Sequence, residues 1–333
     1  MARLRTVSPA SRGWTRRRAG RGFVYLDANG VRLPEADVQR IRSLAIPPAW
    51  TDVWICPLPH GHIQAVGSDV AGRRQYLYHP DWRLKRDAAK FDRVLGAATR
   101  LPAARKRILR DLALDGMPRA RAAATAVRLL DLGYFRIGSD AYTEDNGSFG
   151  LTTLERQHVR RKGDVIVFCF VGKSGIEHCI EIDDTAAIEA LDRMRKRRSA
   201  SKRLLAFQDT ARWADLDATT VNTYLGELLD GEMTAKDFRT WHATVLAAAA
   251  LRVSDEPGDT KASRRRAIKA AVEEVASYLG NTPTIAKNSY IDPRVLDSYE
   301  SGTTIAVDPS RFRSPERRQA AVEKAVLALL SPS

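Results

Sequence analysis

The sequence predicts an α+β protein: a small β-rich N-terminal domain followed by a larger, mainly helical domain that carries a β-hairpin. Three observations lead there. From Gly22 to about Arg86, short β-rich runs alternate with turn residues. After Trp82 the chain changes to Ala-, Leu- and Arg-rich segments with helical periodicity. Among these segments, Val165–Val171 and Ile176–Ile182 flank Gly172-Lys173-Ser174-Gly175, a hairpin pattern with Lys173 at its tip. The expected organisation is a basic, flexible tail over residues 1–21, a β-rich domain over 22–86 and a helical domain over 87–333.

In order along the chain, Phe23–Leu26 and Val31–Leu33 surround Asn29-Gly30, a hairpin signal. Val53–Cys56, Ile63–Gly67 and Gln75–His79 are further strand candidates, the last two joined by the turn Ser68–Gly72. A short helix from Glu35 to Leu44 interrupts them, and Pro47-Pro48 breaks it. Helical periodicity then covers roughly 84–99, 102–114, 118–132, 185–197, 204–213, 217–229, 235–251, 262–279 and 316–330. Thr234 is the expected N-cap of the 235–251 helix, with Asp237 completing an approximate capping box. Phe238, Trp241, Val245 and Leu246 form its buried stripe, and Arg239 and His242 share a neighbouring face. Gly280 closes a helix, and Thr282 with Pro283 starts a short one that reaches Tyr290.

Bulk properties exclude some functions. The 333 residues are 44% hydrophobic, a soluble-protein value. No apolar run approaches the ~18 residues of a membrane span, and the N-terminus lacks a secretory signal. The expectation is a cytoplasmic protein with no membrane partner. Three cysteines are too few and too scattered for a disulfide framework or a zinc site. Cys169 and Cys179 lie in strand segments, where buried small hydrophobes are expected. The net charge of +14 and pI near 10 favour a polyanionic partner, nucleic acid above all, bound in a salt-dependent way. Half of that excess is the seven Arg of residues 1–21, and seven more basic residues against Asp192 fill Leu191–Arg203.

Individually, the chemical motifs are weak. Gly172-Lys173-Ser174 has the end of a phosphate-binding P-loop. Val167 stands where that motif needs its first Gly, however, and a strand rather than a helix follows. Asp215 and Asp217 suit a helix start better than a Mg2+ site, and His60 with His62 lacks further ligands at metal-binding spacing.

Taken together, Phe135-Arg136-Ile137-Gly138, Gly150-Leu151-Thr152-Thr153-Leu154, Phe170-Val171-Gly172-Lys173, Thr234-Ala235-Lys236-Asp237-Phe238-Arg239-Thr240 and Ser289-Tyr290-Ile291-Asp292-Pro293-Arg294 resemble one family. It is the type IB DNA topoisomerases, in the compact form found in poxviruses and bacteria. Ala45-Ile46-Pro47-Pro48-Ala49-Trp50-Thr51-Asp52-Val53 is similar to the bacterial members. The resemblance runs from about Gly22 to beyond Tyr290, and implies a catalytic fold related to that of tyrosine recombinases.

The resemblance implies that Tyr290 is the nucleophile, Arg136 and Arg239 bind the scissile phosphate, and Lys173 is the general acid. A fifth position, His in many relatives, is Asn281 here. An amide donates a hydrogen bond but carries no proton, so its role narrows to hydrogen bonding, with His242 as the alternative source. The chemistry suits these residue types. Guanidinium forks stabilise charge gathering on a phosphodiester, the phenol loses its proton as it attacks, and a lysine protonates the departing 5′ oxygen. The expected product is a 3′-phosphotyrosyl enzyme, resealed without ATP, metal or other cofactor.

The expected partner is double-stranded DNA, clamped by a monomer, with the β-rich domain toward the major groove and the enzyme on the nucleoid. Gln64, Arg73, Arg74, Gln75 and Tyr76 are the expected DNA contacts there, because Gln and Arg suit base edges. Two other readings compete. A tyrosine recombinase shares the catalytic plan, but usually has His where Lys236 stands and a helical N-terminal domain. A non-catalytic DNA-binding clamp would not need Tyr290.

Overall fold

The computed structural model describes residues 3–133, 135–138, 143, 147–210, 212–254 and 259–331, in two units that divide after Lys90. The first unit contains β1 (Trp14–Ala19), β2 (Gly22–Leu26), α1 (Glu35–Ser43), β3 (Thr51–Ile55), β4 (Ile63–Ser68) and β5 (Arg74–Tyr78). They form a five-stranded sheet in the order β2-β1-β3-β4-β5, every neighbour antiparallel. Ile41 of α1 packs with Ile46, Val53, Ile55 and Ala65, and Trp14, Tyr25, Trp50 and Leu77 close the edges of this core.

Two expectations for this unit need correction. Residues 3–21 are not a flexible tail, because β1 pairs with β2 from Thr15 to Ala19 and the amide of Arg5 donates to the His60 carbonyl. Alternation explains it: Trp14 and Arg16 are half-buried while Thr15 and Arg17 face out. Arg16 donates to the carbonyls of Ile46, Pro47 and Trp50 and lies 4.1 Å over the Phe23 ring, so its charge is structural. The expected turn at Asn29-Gly30 forms and returns the chain against β2: Asp27 donates to the Val31 carbonyl at 2.8 Å, Leu33 to the Tyr25 carbonyl at 3.1 Å, and Leu26 bridges Arg32, while β2 pairs along its length with β1. Gln64 is not on the surface that a DNA contact needs. It is 3% exposed in β4, which lies between β3 and β5. Its amide nitrogen donates to the Pro59 and Gly61 carbonyls, and its oxygen accepts from Arg40.

A helix, α2 (Pro80–Ala98), crosses the division. The second unit continues with α3 (Leu101–Leu112), α4 (Arg119–Gly133), β6 (Val159–Lys162), β7 (Val165–Val171), β8 (Glu177–Ile182) and α5 (Thr185–Lys196). After these come β9 (Ala206–Asp209), β10 (Arg212–Asp215), α6 (Ala218–Leu228), α7 (Ala235–Arg252) and α8 (Lys261–Leu279). The chain ends with α9 (Pro283–Ser289), α10 (Pro293–Glu300) and α11 (Pro315–Leu330). Small residues let α4 run through the centre: Ala122, Ala123, Ala124, Thr125 and Ala126 are buried on every side against its neighbours. The expected caps are in place, with Asp217 on α6, the Thr234–Asp237 capping box on α7, and Thr282 followed by Pro283 on α9. No helix among the described residues is long and apolar enough to cross a membrane.

Two further expectations give way here. The segment 204–213 is not helical; β9 and β10 form a hairpin about Thr210, whose φ is +52°. The extended backbone finds partners elsewhere in the unit, Leu204 donating to Leu154 and Gln208 to Met117. Cys169 and Cys179 are not isolated hydrophobes. They sit directly opposite each other in the β7–β8 register and form a disulfide, with a Cα–Cα distance of 4.4 Å.

A buried ion network ties the helices together. Arg105 of α3 forks onto Asp131 of α4 at 2.8 and 2.8 Å and onto Glu323 of α11 at 2.6 and 2.8 Å. Burial raises the Asp131 carboxyl, but hydrogen bonds and charge from Arg105 and His242 outweigh it, and the group lies far below the ordinary carboxylate range. A depressed folded-state pKa means stabilisation that is present above the unfolded value near ~3.9 and lost as pH falls through the folded one. Asp131→Ala should therefore lower stability at pH 7 by about 3–5 kcal/mol. In urea titrations its deficit relative to wild type should narrow as the pH is taken below ~4.

Candidate active site

The approach to the site begins where α4 ends. Phe135 is buried edge-on against Phe168 at 5.1 Å, and Arg136 follows it. The Arg136 and Ile137 carbonyls accept from the amides of Leu151 and Thr152, both at 2.8 Å. Gly138, at φ +92°, and Gly150 approach so closely that a Cβ on Gly150 would overlap the Gly138 backbone. That contact clamps the segment 135–138 against 150–152.

Arg239 projects from the first turns of α7 and is 4% exposed. It meets Arg136 at the carboxyl end of α8, which Gly280 terminates in the left-handed conformation at φ +59°. Arg239 Nη2 donates to the Leu279 carbonyl at 2.7 Å. Arg136 Nη2 donates to the Gly280 carbonyl at 3.0 Å and to Asn281 Oδ1 at 2.7 Å. A helix carboxyl end carries partial negative charge and unsatisfied carbonyls, so it holds two cations side by side.

Tyr290 caps α9 and is 9% exposed. The chain after it is fixed: the Asp292 amide donates to Thr244 Oγ1 at 3.0 Å, and the Asp292 carboxylate grips Arg294 and caps α10. The Arg239 guanidinium hydrogen-bonds Tyr290, with its carbon 5.4 Å from the ring centre. Burial pushes the phenol up, and the charges of Arg239, Arg136 and Lys236 pull it further down, leaving it below its ordinary value. Burial and the neighbouring Arg136 bring Arg239 down to about 10, still protonated at neutral pH.

Arg136, Lys173, Arg239 and Tyr290 all line one cleft of about 290 Å3. Lys173 reaches it from the turn between β7 and β8, the hairpin expected from the sequence. Lys236, one helical turn before Arg239, lines it too. Sequence reasoning quoted Lys236 within a motif without assigning it a role, although the three-residue spacing places both on one face. Asn281 is not in the cleft lining but lies behind Arg136, to which it is hydrogen-bonded. His242 turns elsewhere: its Nε2 is 3.4 Å from Asp131 Oδ1. A second cavity, about 390 Å3, backs Arg136 and Arg239 and contains His178, to which sequence reasoning assigned no role.

In the first unit, Arg74 and Tyr76 are exposed on one face of β5 with Tyr78, whose ring stacks 6.0 Å from that of Tyr76. Arg73 and Gln75 both hydrogen-bond the Asp69 carboxylate.

The comparisons with known proteins agree with this arrangement. Residues 79–305 match the family described as eukaryotic DNA topoisomerase I, catalytic core. Residues 22–69 match the bacterial DNA topoisomerase IB N-terminal domain. The chain is similar to DNA topoisomerase 1B of Acanthamoeba polyphaga mimivirus, 29% identical over 89% of this chain and 90% of that protein. It is also similar to DNA topoisomerase 1B of vaccinia virus (strain Copenhagen), 23% identical over 70% of this chain and 71% of that one. The match to the catalytic core spans most of the sequence and contains every residue brought together at the cleft, so the chain belongs to the type IB DNA topoisomerases.

Proposed function

We propose that the chain relaxes supercoiled duplex DNA by cutting and resealing one strand through Tyr290. The observation that carries this reading is the convergence of Tyr290, Arg136, Arg239 and Lys173 on one cleft. The two guanidinium groups bind the non-bridging oxygens of the scissile phosphate and stabilise the charge gathering there in the transition state. The same positive charges hold the phenol below its ordinary pKa, which eases loss of its proton as it attacks. Lys173 protonates the departing 5′ oxygen. The product is a 3′-phosphotyrosyl link and a free 5′ hydroxyl. One phosphoester replaces another, so the step reverses without ATP, and supercoil strain drives rotation in between. Arg136 and Arg239 occupy the electrophilic role that a metal ion fills elsewhere. Asn281 serves by orienting Arg136 through its side-chain oxygen.

The groups at the cleft all come from one chain, which makes a monomer acting on chromosomal DNA sufficient. We relate the helical unit to tyrosine recombinases on the shared plan of tyrosine, two arginines and lysine. Lys236, where recombinases usually carry His, and a β-rich first unit favour strand rotation over strand exchange. Arg74 and Tyr76 serve as DNA contacts, because they share an exposed face of β5; Arg73 and Gln75 belong to the same surface through Asp69.

Supercoiled plasmid in EDTA without ATP should be relaxed by the wild type, with a covalent protein–DNA adduct, and left supercoiled by Tyr290→Phe. Plasmid that stays supercoiled with wild type, with no adduct, rejects the reading. Replacing Arg239 with Ala should slow adduct formation by about 10²–10³-fold. Gly150→Ala, which displaces the Arg136 segment without touching a charged group, should slow it by up to roughly 10²-fold. Arg74→Ala should weaken DNA binding and reduce its salt slope by about 1 if Arg74 meets a phosphate, whereas an unchanged slope removes it from that role.

A further inference from the structure

His178 lies in β8 directly opposite Phe170 in β7, two positions below the turn that presents Lys173. Its imidazole stacks 5.3 Å from the Phe170 ring, and Phe170 stacks 6.1 Å from Phe135, the residue before Arg136. The other edge of the imidazole reaches two glycines. A Cβ on Gly172 would lie 2.7 Å from His178 Cδ2, and one on Gly280 2.5 Å from Cε1. Gly172 precedes Lys173, and Gly280 precedes Asn281 at the carbonyl end that holds both arginines. One ring therefore bridges the general-acid hairpin and the arginine cradle, and both contacts require that the facing residue have no side chain.

We infer that His178 is a positioning residue for strand cleavage, whose neutral imidazole seats the Lys173 hairpin against Gly280 and so fixes the general acid relative to Arg136 and Arg239. This rests on the reading of Tyr290, Lys173 and the two arginines given above. The ring does not line the phosphate cleft; it lies in the cavity behind it, so it acts through its neighbours. Charge decides which form can do this. Arg136 and Arg239 act on the ring from the segment after α4 and from α7, while Tyr278 of α8 and Glu177 and Glu181 of its own strand line the same cavity. Burial first, then Arg136 and Arg239, push the imidazole below its ordinary value, so it is neutral at pH 7. Protonation places a third cation beside the two arginines and drives the ring, with the hairpin it holds, off Gly280.

The test measures adduct formation on supercoiled plasmid with the full chain in excess, from pH 5 to 8. Wild type should slow through an acid limb with a midpoint below ~6.5. His178→Gln, a planar side chain that carries no proton charge, should lose that limb and keep a rate within about threefold of wild type at pH 7.5. His178→Ala should be about tenfold slower at pH 7.5 with DNA affinity changed less than twofold. Gly172→Ala should be slow alone, yet no slower than His178→Ala when the two are combined, since the clash is then gone. A flat wild-type profile, an acid limb that survives in His178→Gln, or a wild-type rate for His178→Ala would overturn the inference. The Tyr290→Phe control separates its failure from that of the underlying reading: loss of adduct there with normal His178 variants rejects only the role of His178, whereas an adduct that persists in Tyr290→Phe rejects both.

Discussion

The carbonyl end of α8 is the constraint on which the site depends. Two guanidinium groups repel each other, and burying Arg239 removes the water that would screen them. Carbonyls left over at a helix terminus are among the few neutral groups that can offset this, and α8 exposes them because Gly280 turns the chain into the left-handed region. Hydrogen bonds to charged groups are worth roughly 1.5–3 kcal/mol each. Leu279, Gly280 and Asn281 supply three of them, at 2.7, 3.0 and 2.7 Å. In the proposed reaction, the charge that stabilises the transition state is thus already assembled before any phosphate arrives, and no reorganisation is needed at the moment of reaction.

The remainder of the second unit delivers side chains to that terminus from distant points in the sequence. The buried alanines of α4 allow a central helix whose end leads to Arg136, and the Gly138–Gly150 contact then holds the following segment. Asp237 locks the start of α7 twice, by capping Thr234 and by gripping Arg93 at 2.9 and 3.0 Å, and Arg239 lies just beyond. Lys173 is the exception: it arrives on a hairpin turn, where Ser174 and Gly175 both have positive φ. Its disulfide and its stacked aromatic pair lie on the two strands behind the turn.

Much of this was legible in the sequence where local chemistry decides structure. Thr234, Asp217, Thr282-Pro283 and Gly280 announce helix ends through groups that satisfy backbone within a few residues, and the hairpin around Lys173 follows from two β-rich runs and a Gly-bounded turn. The failures were non-local. Arg16 read as a tail charge because its acceptors, the carbonyls of Ile46, Pro47 and Trp50, are thirty and more residues away. Gln64 read as a groove contact because alternation cannot show that a strand is central and covered. The 204–213 segment has enough apolar residues for a helix, yet partners in remote loops draw it into strands. The Cys169–Cys179 pairing was within reach, since both residues lie five positions from Ser174, the centre of a hairpin already recognised. Lys236 was marked only by its three-residue spacing from Arg239, and His178 had no signal beyond proximity in space.

Tyr290, the proposed nucleophile, is held from both directions along the chain. Before it, Thr282 and Pro283 start a short helix, and after it, Thr244 and Arg294 pin Asp292. Further on, α11 returns Glu323 to the half-buried Arg105 of α3, which also holds Asp131 of α4. On the proposed chemistry, Tyr290 joined to a DNA end is a fixed post rather than a tether. Torque delivered through the severed strand meets a mounting that is stitched into the protein interior at several depths. The swivel must then lie in the nucleic acid, in the single bonds of the intact strand opposite the break, while the protein supplies the stationary half of the bearing.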